Sequence, residues 1–160
     1  MDVRNTVWAA LGAAWVASCS AAAPAPATTP RADEGPQAEL RVVVQGVRSK
    51  QGTVRCALFN ASDGFPKDRS KAVRRQTRPI DEGGTAEINL PGLAPGTYAA
   101  VVFHDENGNG KLDTNFFGMP VEGLGASNNP PPRRGPPRFD EARFTLPAAG
   151  TTLTVQVNYF

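Results

Sequence analysis

The chain reads as an all-β sandwich of about seven strands, and three observations predict it. Glycine and proline are frequent, 16 and 15 of 160 residues, and they divide the sequence into short β-branched runs joined by turns. Several of those runs alternate apolar and polar residues with period two. One run, residues 97–103, is apolar on both faces and so reads as a central strand covered on both sides.

Taken in order, the first strand begins near Glu39, where Leu40, Val42 and Val44 alternate with Arg41, Val43 and Gln45 until Gly46 marks a turn. The next is Thr53-Val54-Arg55-Cys56-Ala57-Leu58-Phe59, which places Val54, Cys56 and Leu58 on one face and predicts a buried, inert thiol. After a basic, turn-rich stretch, Ala86, Ile88 and Leu90 alternate with Glu87 and Asn89. The Pro-Gly pairs of residues 90–98 fix a tight turn before the central strand. This L-x-P-G-T-Y pattern resembles turns of immunoglobulin-like and prealbumin-like sandwiches, which implies that Tyr98 packs in a corner with its hydroxyl bonded to backbone. Ala142, Phe144 and Leu146, then Leu153, Val155, Val157 and Tyr159, supply a last pair of strands.

One such domain fits in residues 38–160, because the N-terminal part has another character. Residues 7–16 form an apolar stretch behind Arg4, of signal-peptide length and too short to span a bilayer permanently. It ends in Val16-Ala17-Ser18-Cys19, which resembles the lipobox of bacterial lipoproteins and implies cleavage after residue 18 and lipidation of Cys19. The alternative is an ordinary secretory leader cut within residues 20–23. Ser20 after the cysteine favours the outer membrane; a soluble periplasmic or secreted protein is the other address. Residues 19–37, rich in Ala, Pro and Thr, read as a semi-extended tether. With Cys19 lipidated or removed, Cys56 has no intramolecular disulfide partner. A formal charge of +2 gives no electrostatic case for nucleic acid.

The segment with chemistry follows the central strand: His104-Asp105-Glu106-Asn107-Gly108-Asn109-Gly110-Lys111-Leu112-Asp113. Oxygen side chains at Asp105, Asn107 and Asn109 precede Gly110, as in the first half of an EF-hand-type calcium loop, with Lys111 offering its carbonyl and Asp113 a ninth-position oxygen. Phe116 stands where an EF-hand has its bidentate Glu, so binding on this reading is weak, on the order of 0.1–1 mM. Glu122 is a further candidate ligand by folding back. The same residue types also build Asx-turns and left-handed positions, so a long loop held by hydrogen bonds alone is the competing reading.

His104 shares a strand face with Tyr98, Ala100 and Val102 and is expected to be hydrogen-bonded at the edge of the core. A Ser127, His104, Asp105 triad is not expected, because adjacent strand residues face opposite ways and Ser127 lacks a nucleophile elbow. Residues 114–139 read as a long loop in which Phe116, Phe117, Met119 and Leu124 fold back onto the sandwich or, alternatively, form a contact surface. Lys67, Arg69, Lys71, Arg74, Arg75 and Arg78 read as a solvated loop and edge strand.

Residues 96–129, from Gly-Thr-Tyr-Ala-Ala-Val-Val-Phe-His-Asp through Leu-Gly-Ala-Ser-Asn-Asn, and the Pro137-Arg138-Phe139-Asp140-Glu141-Ala142 segment resemble a bacterial family catalogued as domain of unknown function 2141. The resemblance implies an exported β-sandwich without known catalytic activity. His104, Asp105, Asn107, Asn109, Gly110, Asp113, Gly118, Pro120, Glu122, Gly125 and Ser127 match its pattern, and the Pro- and Arg-rich insert at 130–136 departs from it. The sequence thus describes a non-enzymatic envelope lipoprotein presenting a loop with His104, Phe116, Phe117, Ser127 and Asn128 toward a glycan, peptide or protein of the envelope. A structural or assembly accessory with no small ligand is the rival class.

Overall fold

A computed structural model describes residues 35–131 and 135–160. The leader, Cys19 and most of the tether lie outside those residues. No helix among the described residues is long and apolar enough to cross a membrane. The elements are β1 (Ala38–Gln45), β2 (Thr53–Phe59), a 3-10 turn (Arg69–Lys71), β3 (Arg74–Pro79), β4 (Ala86–Leu93), β5 (Gly96–Asp105), β6 (Gly123–Ala126), the one-turn helix α1 (Phe139–Ala142), β7 (Arg143–Leu146) and β8 (Thr151–Gln156).

The strands form two facing sheets. One has the order β4-β1-β8; the other has the order β3-β2-β5-β6, with β7 also on β5. β6 pairs with the second half of β5 (Val102 opposite Gly125) and β7 with its first half (Tyr98 opposite Phe144), so both share the edge that β2 leaves free. The last two strands are therefore not a hairpin. β7 joins the larger sheet, while β8 crosses to the smaller one and runs parallel to β1, with Val42 opposite Leu153. A backbone bridge between Leu124 and Asn158 closes that corner. Any side chain at Gly125 would meet the Gln156 carbonyl oxygen, 2.6 Å from an added Cβ, which is why this approach needs glycine.

The predicted alternation becomes the core between the sheets. Leu40, Val42 and Val44 of β1 and Ile88 of β4 face Val54 and Leu58 of β2 and Val102 of β5, all fully buried. Each such side chain contributes roughly 1.5–3 kcal/mol by leaving water. Cys56 lies among them, and burial pushes its thiol up to about 12, which keeps it protonated. Tyr98 donates its hydroxyl to the Ala94 carbonyl at 2.8 Å, the corner expected from the Pro-Gly turn.

β5 is buried on both faces, as its composition predicts. Its outer side carries Ala99 and Val101, covered by Phe65 from the β2–β3 connection and by Phe139 of α1. Phe65 stands edge-on to Phe59 at 5.3 Å and to Phe139 at 5.7 Å. Residues 114–139, read as a long loop, contain β6 and end where α1 begins, and Leu124 packs against Val101 on the outer face of the larger sheet.

Candidate functional site

β5 ends at Asp105, and strand alternation sends His104 and Asp105 to opposite faces. Both are fully buried. On the core side, His104 Nε2 meets the Gln51 carbonyl and Nδ1 meets the Tyr159 hydroxyl, each at 2.7 Å. A carbonyl only accepts, so Nε2 carries the hydrogen; in the neutral ring Nδ1 accepts from Tyr159, whose oxygen accepts from the Arg48 backbone N–H at 3.0 Å. His104 is thereby a hydrogen-bonded strut.

On the outer side, Asp105 Oδ2 accepts from Arg55 Nε of β2 at 2.6 Å and from the Gly110 backbone N–H at 2.9 Å. Oδ1 of the same carboxylate is buried and meets no donor. Asn107 Oδ1 accepts from Asn109 N at 3.0 Å, and Asn109 Oδ1 from Lys111 N at 2.7 Å, making two successive Asx-turns. Gly110 sits at φ +81°, and a Cβ there would lie 3.3 Å from the Arg55 guanidinium, so the turn and its neighbour both favour glycine. The amide groups of Asn107 and Asn109 donate to the Asp113 carboxylate at 2.6 and 2.9 Å.

Glu122 does fold back. The residue is 3% exposed, with Oε1 accepting from Glu106 N at 3.0 Å and Oε2 from Asp113 N at 3.1 Å. One side chain thus ties the start of the loop to its end. Arg48 braces the outside: it donates to Glu106 at 2.9 Å, holds that carboxyl below the usual glutamate range, and lies 4.5 Å over the Tyr159 ring. Among the described residues no three His, Cys, Asp or Glu side chains gather as a ready metal cluster. Asp105 and Glu122 reach the loop, but amide oxygens would have to complete any cation site.

The other residues assigned to the presenting loop divide. Phe116 and Phe117 do not pack on the sandwich: they are 97% and 85% exposed, edge-to-face at 5.6 Å, on a small hairpin whose turn Asn115 caps. Ser127 is instead fully buried, bridging Ala100 of β5 and the Ala142 carbonyl. Asn128 occupies a left-handed position at φ 62° and donates to the Arg143 carbonyl at 2.7 Å. Of that set, the two phenylalanines are the ones whose side chains face outward. With Ser127 and His104 both committed to other partners, no triad is assembled.

Beside the loop, on the outer face of the larger sheet, lies a cleft of about 770 Å³. Val101, Phe103 and Leu124 line it from the sheet and Leu112 and Met119 from the loops. Three cations also line it: Lys67, Arg69 and Lys111. Arg55 and Arg69 are the site residues that sequence reasoning missed as such. The available signal was a lone arginine within an otherwise apolar strand at 53–59, but its partner depends on register, which the sequence does not print.

Fold and loop define a class: a two-sheet β-sandwich carrying an Asx-turn loop, locked by carboxylates, at the end of its central strand. The profile of a bacterial family, described as "Uncharacterized protein conserved in bacteria (DUF2141)", matches residues 42–154, and the chain belongs to that family. Comparison with curated proteins and with solved structures gives no match.

Proposed function

We propose that the domain is a non-catalytic binding module of the cell envelope, whose 105–122 loop is stabilised by a weakly bound calcium ion and holds the Phe116–Phe117 tip outward as a contact surface. The observation that carries the calcium reading is the buried Oδ1 of Asp105, a carboxylate oxygen without a donor. Its sister oxygen accepts the Gly110 N–H, so Oδ1 remains for a cation. Asn107, Asn109 and Asp113 supply the remaining oxygens once the two amides turn away from Asp113, with the Lys111 carbonyl as a further donor. Arg55 beside Asp105 weakens cation binding, in keeping with a millimolar-range site. An exposed aromatic pair suits stacking on a glycan ring or insertion into a partner protein.

If calcium binds only the folded state, a tenfold excess over its Kd stabilises the protein by about 1.4 kcal/mol and raises Tm by several degrees, while magnesium does little. Asp113→Ala abolishes the shift with little change in calcium-free stability, since Asp113 is only half-buried. Differential scanning calorimetry with and without calcium reads both. No shift in the unsubstituted protein ends the calcium reading and leaves the loop to its hydrogen bonds.

The envelope address rests on the Val16-Ala17-Ser18-Cys19 pattern alone, and we propose lipidation of Cys19 as the membrane anchor. Cys19→Ala is expected to move the protein from the membrane to the soluble fraction and to remove acyl labelling. An unsubstituted protein that is soluble and unlabelled is not a lipoprotein.

A further inference from the structure

We infer that the cleft beside the loop is a binding site for a small amphiphile with one aliphatic chain and an anionic head, and that Arg69 holds the head. The inference goes beyond the calcium-loop reading: it shares the face of the domain but needs no calcium.

Three observations carry it. First, the cleft has the size and lining of a small-molecule site. Its volume of about 770 Å³ lies within the ordinary range of such sites, and its floor is Val101 and Phe103 of β5 and Leu124 of β6. The neighbouring apolar residues of that sheet face are covered by Phe65 and Phe139. Val101 and Phe103 keep little exposed surface at the bottom of the cleft, and Leu124, Leu112 and Met119 provide the apolar walls for a chain.

Second, the charged residues that line the cleft are all cations. Lys67, Arg69 and Lys111 line it, and none of the three forms an ion pair with a carboxylate of the described residues. The acids beside the lining are engaged elsewhere: Asp68 accepts from Ser70, Asp113 from Asn107 and Asn109, and Asp105 is paired with Arg55. An apolar floor lined by cations that hold no ion pair complements an anion that carries a tail better than a neutral or cationic one.

Third, Arg69 is placed unfavourably unless something arrives. Its guanidinium lies 4.7 Å over the Phe103 ring, and its Nε is buried without an acceptor. Burial and the nearby Arg55 and Arg75 push it below the ordinary arginine range. A carboxylate or phosphate in the cleft brings Arg69 a counter-charge and offers acceptors to its guanidinium, a fork that suits such groups. The stacking on Phe103 holds the fork over the apolar floor, so that head and tail are recognised side by side.

The test uses the full chain carrying Cys19→Ser, in detergent-free buffer with a calcium chelator, and a dansylated undecanoic acid as fluorescent reporter. Dodecanoate is expected to displace the reporter at concentrations roughly ten- to a hundredfold lower than dodecanol or dodecyltrimethylammonium. Arg69→Gln removes that preference; the residue lies in a 3-10 turn outside both sheets, and an unchanged Tm of the variant shows the sandwich intact. Met119→Glu, at a position 45% exposed, weakens all three chains together by blocking the wall. Equal displacement by the alcohol, a carboxylate preference that survives Arg69→Gln, or binding only to phosphatidylglycerol vesicles overturns the inference. Because calcium is absent throughout, a failure here is separate from a failure of the calcium shift.

Discussion

Asp105→Ala is expected to lower the stability of the domain by about 3 kcal/mol, at the lower end of the 3–5 kcal/mol typical when one member of a buried ion pair is removed. The Asp105 side chain is fully buried, while that of Arg55 keeps 26% exposure. Truncation leaves the guanidinium without its counter-charge and the Gly110 N–H without its acceptor. Water reaches Arg55 in part, which places the loss at the low end. Against a typical total stability of about 5–15 kcal/mol this is a large fraction. Asp105→Asn retains an acceptor and loses the charge, so it falls between the two. Urea denaturation of the three proteins is the measurement, with m unchanged if the denatured state is unaffected. A loss below about 1 kcal/mol for the alanine variant means that the pair contributes no more than an exposed salt bridge.

The parts of the fold legible in the sequence are those where one strand face is buried and the other wet. β1 and β4 show this alternation in their burial as clearly as in their residues. β5 was legible for the opposite reason, since its run is apolar throughout and both faces are covered. The edge strands were not. In β3 five of six residues are exposed, so no face stands out, and its place is set by pairing with β2. β6 is Gly-Leu-Gly-Ala, where close approach to the smaller sheet requires glycines that carry no hydrophobic signal. The parallel pairing of β1 with β8 joins the two ends of the domain, and no local pattern encodes a contact of that span.

The site divides in the same way. Oxygen side chains at alternate positions made the 105–113 loop visible, because Asx-turns and cation ligation both demand that spacing. The choice between them depends on atoms from elsewhere: Arg55 from β2, Glu122 from beyond the Phe116–Phe117 hairpin, Arg48 from the β1–β2 connection. The aromatic pair shows the converse error. Two adjacent phenylalanines read as material for packing, yet in the turn that Asn115 closes both side chains point to solvent.

Glu122 carries the second large effect. Its two oxygens accept from Glu106 N and Asp113 N, residues seven apart that bound the loop, so Glu122→Ala leaves two half-buried backbone donors without partners. At roughly 1–3 kcal/mol for each orphaned donor, with partial access to water, the expected loss is about 2–4 kcal/mol. The effect is local. The core between the sheets makes no use of Glu122, so hydrogen exchange quickens at Glu106 and Asp113 while amides of β1 and β4 keep their protection relative to global unfolding. Glu122→Gln separates charge from geometry: its single carbonyl serves one donor, and its NH2 group faces the other, which places its loss between wild type and alanine. If the loop amides stay protected in Glu122→Ala, the clamp is not what closes the loop, and the Asx-turns with Asp105 hold it by themselves.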